Sequence, residues 1–204
     1  MTGDLSIRPV TGATWSDLVR LFEAHGNPNY CWCMLWRTSS AAYRSLGSAG
    51  RRAALQSRVA AGEAVGLLAY LGDDPAGWCS VAPRSSYARL ERSRTLPRLD
   101  EQETWSVVCF FLAPAARRRG LAAELLRAAA GYAAAGGAQV LEGYPVDPVP
   151  DEQGRLRAPR AYRFMGYRRS FEAAGFQDAT PPGARRTIMR RVLAGPGSGE
   201  TGVS

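Results

Sequence analysis

Histidine and long apolar runs are what this chain lacks. Its 204 residues contain 1 histidine, His25. Cys109, the thiol that sits in a strongly apolar stretch, therefore has no histidine base near it in sequence, and a buried thiol is inert packing rather than a nucleophile. No apolar stretch approaches the roughly 20 residues of a membrane span. Met1 to Val10 carries Asp4 and Arg8 and lacks the apolar core of a signal peptide, so no membrane partner and a cytoplasmic location are the expectations. Cysteines number 4 (Cys31, Cys33, Cys79 and Cys109), and Cys31-Trp-Cys33 lacks the two-residue gap of a zinc knuckle. Free thiols and no metal follow. The Gly-Lys-Ser/Thr of a Walker loop and the three spaced glycines of a dinucleotide fingerprint are also missing.

What is present is a normal globular composition, 46% hydrophobic, with a net charge of +8. The size suits one domain, placed over residues 1–194, with a small polar tail at 195–204 expected to be disordered. The arginines are spread over Arg51-Arg52, Arg117 to Arg119, Arg168-Arg169, Arg185-Arg186 and Arg190-Arg191. Attraction for a polyanionic cofactor explains such a spread as well as nucleic acid would, and a nucleic-acid partner is not expected.

The pattern predicts an α/β fold. Leu5 to Val10 reads as a strand, Trp15 to Ala24 as a helix capped by Thr14, and Gly50 to Ala61 as a second helix. Val65 to Leu71 and Trp78 to Val81 flank a turn at Gly72-Asp-Asp-Pro75 and form a hairpin. Pro83 to Glu103 reads as an irregular connection. Thr104 to Leu112 is apolar on both sides of its alternation: Trp105, Val107, Cys109 and Phe111 face one way, Val108, Phe110 and Leu112 the other. Such a strand is covered on both faces. Leu121, Leu125, Ala129 and Ala133 mark a helix face that Gly136-Gly137 ends. Val140 to Val146 is the next strand, parallel to the first. Pro145 to Pro159 is an insertion, Ala161 to Ala174 a helix ending at Gly175-Phe176, and Arg186 to Leu193 a last strand.

Between the doubly apolar strand and the alanine-rich helix lies Pro114-Ala-Ala-Arg-Arg-Arg-Gly120. The first N–H groups of a helix have no internal acceptor and carry partial positive charge, so phosphate oxygens bind there. Gly120 and the small Ala122 leave the backbone approachable. A helix start with solvated arginines is the alternative.

Arg117-x-x-Gly120-x-Ala122 resembles the Gln/Arg-x-x-Gly-x-Gly/Ala pyrophosphate signature of the GNAT N-acetyltransferase superfamily. Phe171-Glu-Ala-Ala-Gly175-Phe176 is similar to that family's aromatic-x-x-x-Gly-Phe helix end. The order of elements from Leu5 to Leu193 agrees. The resemblance implies a mixed, mostly antiparallel sheet flanked by helices, with a splayed parallel strand pair that holds acetyl-CoA. Its pyrophosphate would meet the backbone at Arg117, Arg118, Arg119, Gly120, Leu121 and Ala122. Its pantetheine arm would lie along Cys109, Phe110, Phe111 and Leu112, with an amide near Phe110 polarising the thioester carbonyl.

The same resemblance implies acetyl transfer to an amine by direct attack in a ternary complex. The family often places a proton-donating tyrosine where this chain has Phe171. Substitutes are Glu142 as base with Tyr144 as acid, both on one face of their strand. Tyr167 is a second candidate acid, and Glu103 a competing base within Asp100-Glu-Gln-Glu103, a stretch that also attracts a cationic acceptor. Tyr30, Trp32, Met34 and Trp36 are the candidate acceptor wall. The expected acceptor is a small-molecule amine, with a homodimer as a further expectation. Alternatives are a non-catalytic acyl-CoA binder and a protein N-terminal or lysine acetyltransferase.

Overall fold

The computed structural model describes residues 4–24, 27–150, 152–154, 156–157 and 162–194. His25 and the tail at 195–204 lie outside the described residues. The chain begins with β1 (Leu5–Pro9), followed by helices α1 (Trp15–Glu23), α2 (Asn27–Cys31), α3 (Ser40–Ser45) and α4 (Gly47–Ala60). The hairpin β2 (Leu67–Leu71) and β3 (Asp74–Pro83) leads to the short α5 (Ala88–Glu91). Then come β4 (Thr104–Leu112), α6 (Leu121–Ala135) and β5 (Val140–Gly143). A small ribbon, β6 (Val149–Pro150) with β7 (Leu156–Arg157), precedes α7 (Arg168–Glu172), β8 (Gln177–Asp178) and β9 (Met189–Val192).

Seven strands make one sheet in the order β1-β2-β3-β4-β5-β9-β8. Every neighbouring pair is antiparallel except β4 and β5, which run parallel across α6. This is the mixed, mostly antiparallel sheet that the resemblance implied. α6 covers one face: Leu121, Leu125, Ala129 and Ala133 pack with Val81, Val107, Leu141 and Phe171 of α7. The alanines let helix and sheet approach closely. On the other face Leu18, Leu21, Phe22 and Leu55 pack with Leu68 and Trp78. A third cluster, at one end of the sheet, joins Trp36, Tyr87, Leu96, Val108, Tyr144, Met165 and Ile188. No helix among the described residues is long and apolar enough to cross a membrane.

Several expectations need correction. The predicted helix over Ala161 to Ala174 shrinks to α7, and Ala161 itself lies outside the described residues. Gly166 at φ +90° and extended Tyr167 interrupt the apolar stripe, leaving a 3-10 turn at Arg163–Met165. The helical region before β2 starts earlier, as α3 and α4, because Ser39 caps α3 by accepting from the Ala42 amide at 3.2 Å. Thr14 does precede α1, but its hydroxyl takes the Thr11 amide instead of a helix amide.

Near the sheet edge, Thr180 donates to Asp178 through its backbone, and with Arg168 it holds the Asp178 carboxyl down at about 2. An unfolded aspartate titrates near about 3.9. The stabilisation is therefore full above about pH 4 and is lost as pH falls toward about 2. Asp178→Asn is expected to flatten the fall of melting temperature across that window, read from thermal melts; an unchanged slope would contradict it.

Candidate active site

The sheet opens where its parallel pair stops. Pairing of β4 with β5 runs from Thr104↔Val140 to Val107↔Gly143 and ends there. β4 continues along β3 as far as Gly77↔Leu112. Its first five residues are buried and its last four, Cys109 to Leu112, are half-buried, as expected of a strand that loses one neighbour.

A bulge sits at the start of this opening. Ser80 pairs with Cys109 and Val81 with Val107, so Val108 has no partner in β3. An extra residue reverses the facing of everything beyond it. Trp105 and Val107 therefore share the α6 face with Phe110 and Leu112, while Cys109 and Phe111 turn toward α1. Simple alternation had paired Trp105 and Val107 with Cys109 and Phe111. Phe110 contacts Phe171 edge-on, and Phe111 contacts Phe22. Cys109 instead meets Cys33 at 3.2 Å, and that contact and burial push its thiol well above the usual range.

The backbone at the opening is oriented by its neighbours. The Ala113 amide donates to Ala76 O on β3 at 2.9 Å. Alternation then turns the amides of Phe110 and Leu112 to the side that β5 vacates. Beyond β4, a 3-10 turn at Pro114–Ala116 leads to Arg118 at φ +62° and Gly120 at φ +77°. Bonding within α6 begins with Ala123 N–H donating to Gly120 O at 2.9 Å, so the preceding amides lack partners within the helix. A Cβ on Gly120 would meet nothing within 4 Å. Arg117 Nε donates to Leu112 O at 3.0 Å, which ties the loop to the strand end. Arg118 and Arg119 are exposed and pair with no carboxylate among the described residues. Leu121 buries its side chain in the core, so only its backbone faces outward.

The family model for the Acetyltransferase (GNAT) family matches residues 29–167. The chain belongs to this family. Among solved structures, the aminoglycoside acetyltransferase AAC(6')-Ib in complex with coenzyme A has a TM-score of 0.54 at 16% identity, covering 93% of this chain and 95% of that one. The same enzyme with paromomycin and acetyl-CoA gives 0.55 at 15% identity, covering 93% of each chain. The PaiA N-acetyltransferase of Thermoplasma acidophilum, in complex with coenzyme A, gives 0.50 at 13% identity, over 93% of this chain and 99% of that one. At such identities the likeness is one of fold. No curated protein matches in sequence.

The GNAT frame shows where each expected catalytic group falls. Glu142 and Tyr144 do meet, but inside a saturated network. Glu142 is fully buried, and its Oε1 accepts from Arg84 Nη1 at 2.7 Å and from the Tyr144 hydroxyl at 2.5 Å. Its Oε2 accepts from Arg190 Nε at 2.8 Å. Arg84 also donates to Leu96 O at 2.8 Å, and its Nε lies 2.9 Å from Glu91. Arg190 is shared with Asp100, so that carboxylate answers an internal cation. Burial, then the Glu142 charge, push the Tyr144 phenol well above its ordinary value. A base needs an oxygen facing the amine, and an acid needs a labile proton; here both Glu142 oxygens already accept, in ion pairs with Arg84 and Arg190, and the Tyr144 hydroxyl donates to Glu142. Glu103 precedes β4, at the end opposite the opening, and its residue is fastened to Gln139 by backbone bonds. Roughly 20 Å of strand separates it from Phe110. Tyr167 is half-buried beside the end of β5, where its backbone bridges Val146.

Phe171, at the family's tyrosine position, is fully buried and spans the opening from the α7 side. A Cβ on Gly143 would fall 2.0 Å from its Cε1, and one on Gly166 would fall 3.0 Å from its Cε2. The glycines make room for this ring between β5 and Phe110. Gly143→Ala is expected to destabilise the fold by about 1–3 kcal/mol through overpacking, measured by denaturant unfolding. A neutral result would mean that the ring is not held there.

Of the expected acceptor wall, Trp36 lines a cavity at the end of the sheet. Trp32 and Met34 are buried in the α1–α4 core, Trp32 stacking on Trp15, and Tyr30 is 62% exposed on α2. Positive φ at Trp32 and Cys33 bends the chain there, so successive side chains enter different clusters. The cavity, about 380 Å³, is bounded by Trp36, Tyr162, Arg89, Arg92 and Arg186, together with serines and Thr95. Sequence reasoning missed the buried Arg84, the half-buried Arg190 and the three cavity arginines. Nothing local sets these five apart from the chain's other arginines.

Proposed function

We infer that the chain transfers an acetyl group from acetyl-CoA to the amine of a small molecule by direct attack. The observation that carries this reading is the opening itself: β5 stops at Gly143, β4 runs on to Leu112, and the loop beyond it delivers unpaired amides at Gly120. The residues present fit an acyl-CoA. Amides at the start of α6 suit a pyrophosphate. Arg118 and Arg119 have free charge for the outer phosphate. The Phe110 amide, turned into the opening, suits a thioester carbonyl oxygen.

Acetyl-CoA supplies an acetyl group activated as a thioester. The chain's contribution is position and polarity: the gap holds the donor extended, and the Phe110 amide stabilises the carbonyl oxygen as charge gathers on it. The acceptor nitrogen forms a bond to the acetyl carbon as the carbon–sulfur bond breaks, and the proton lost by nitrogen balances the thiolate. Tyr167 is the phenol we assign to that thiolate, being half-buried one residue after Gly166, which packs on Phe110. Glu142 and Tyr144 hold the floor in shape.

Phe171 favours a second reading, an acyl-CoA binder without turnover. Calorimetric titration with acetyl-CoA, combined with thiol release across an amine panel, separates the two. Saturable binding with amine-dependent release is expected. Binding without release supports the second reading, and absence of binding overturns both.

A further inference from the structure

We propose that the acceptor is an amine that also bears an anionic group, a carboxylate or phosphate, and that Arg89, Arg92 and Arg186 receive that group. This rests on the acetyltransferase reading and narrows it. The cavity at the end of the sheet has a volume, about 380 Å³, suited to a metabolite-sized ligand. Its wall holds three arginines and no carboxylate. Among the described residues, none of the three forms an ion pair, whereas Arg84, Arg168 and Arg190 are all paired. Guanidinium groups stay charged at any physiological pH. Three uncompensated cations around one concavity are a receptor for negative charge and repel a polycation.

Further details agree. Arg186 packs against two neighbouring rings, 4.2 Å from the Tyr162 centroid and 5.9 Å from that of Trp36, and its Nη2 donates to Met165 Sδ at 3.1 Å, so its position on the cavity wall is held. Among the described residues, Trp36 Nε1 and Arg89 Nε are buried donors without a hydrogen-bond partner, which calls for an explanation in a native fold. The Arg89 amide donates to Trp36 O at 3.0 Å and fastens the two sides of the cavity together. Ser39, Ser40, Ser93 and Thr95 add hydroxyl donors of the kind that complete an anion site.

The cavity is also placed to serve the opening. Trp36 packs in the cluster that contains Val108, the bulged residue, and Tyr144. Tyr162 in the cavity wall and Gly166 against Phe110 are joined by the Arg163–Met165 turn. That span is on the order of 10 Å, the reach of a small molecule with an anion at one end and an amine at the other.

Matched acceptor pairs test this: amino acids against their methyl esters, and phosphoethanolamine against ethanolamine, with an aminoglycoside as the polycationic probe. The anionic member of a pair is expected to show at least tenfold higher kcat/KM. Arg89→Gln, Arg92→Gln and Arg186→Gln combined should erase that preference through KM and leave acetyl-CoA affinity unchanged. Arg92→Gln alone, at an exposed position, keeps the test available should the triple variant fold poorly. Where no probe turns over, calorimetric binding of the same pairs makes the comparison, so a failure of the acetyltransferase reading stays separate. Preference for ester, ethanolamine or aminoglycoside overturns the proposal, as does an anion preference that survives the arginine changes.

Discussion

Glu142→Gln is expected to destabilise the chain by about 1.5–3 kcal/mol, because it weakens the charge-assisted bond to the buried Arg84, which keeps only Glu91 as counter-charge. The same carboxylate holds Arg190 at 2.8 Å, so the substitution disturbs two cations at once. Against a typical total of about 5–15 kcal/mol, that is a large share of the stability. Denaturant midpoints would show it directly. Replacing both partners, Arg84→Met with Glu142→Leu, should recover the part of the loss that falls on Arg84, since apolar residues need no counter-charge. Activity gives the other half of the result. A structural carboxylate leaves kcat of the folded fraction within a few-fold. A variant that stays stable and loses turnover would restore Glu142 as the base.

Gly120→Val is expected to weaken acetyl-CoA binding by a hundredfold or more. Two effects add. A β-branched residue at φ +77° is strained, by roughly 1–2 kcal/mol, and disfavours the helix start. Its side chain would also fill the space in front of the first free amides, which a Cβ meets nothing to prevent. Calorimetry reads the affinity and thermal melts the strain. A modest loss of stability with intact binding would place the pyrophosphate elsewhere.

The parallel unit was legible because its signals are local. Thr104 to Leu112 is apolar on both sides, and Leu121 to Ala133 repeats every four residues, so β4, α6 and β5 follow from pattern alone. The Gly175-Phe176 helix end was legible for the same reason: Gly175 takes φ +81° and the Phe176 amide returns to Phe171 O at 3.0 Å. The bulge was not legible. It depends on how β3 meets β4 at Ser80, and no residue near Val108 announces it. Gly166 ended a predicted helix that Phe164, Tyr167 and Phe171 seemed to continue, because Phe171 and Phe110 crowd the glycine's missing side chain.

The chemistry of the site divides along the same line. The loop proposed for the pyrophosphate lies in one stretch of sequence, between the end of β4 and the start of α6. Carboxylates and phenols chosen by alternation were correctly placed on one face, yet their partners, Arg84 and Arg190, come from distant segments. The cavity is more dispersed still, since Trp36, Arg89 and Arg186 come from three distant segments of the chain. Charge that is assembled by folding leaves no trace in a sequence window.

The unpaired Val108 also constrains how this strand can vary through insertion and deletion. Removing one residue at that point would restore simple alternation and swap the facing of all that follows. Phe110 would leave Phe171, Phe111 would leave Phe22, and the amides turned into the opening would point into the sheet. Loss of a single codon there rotates the strand end that lines the opening, whereas loss of two would keep its facing and shorten it.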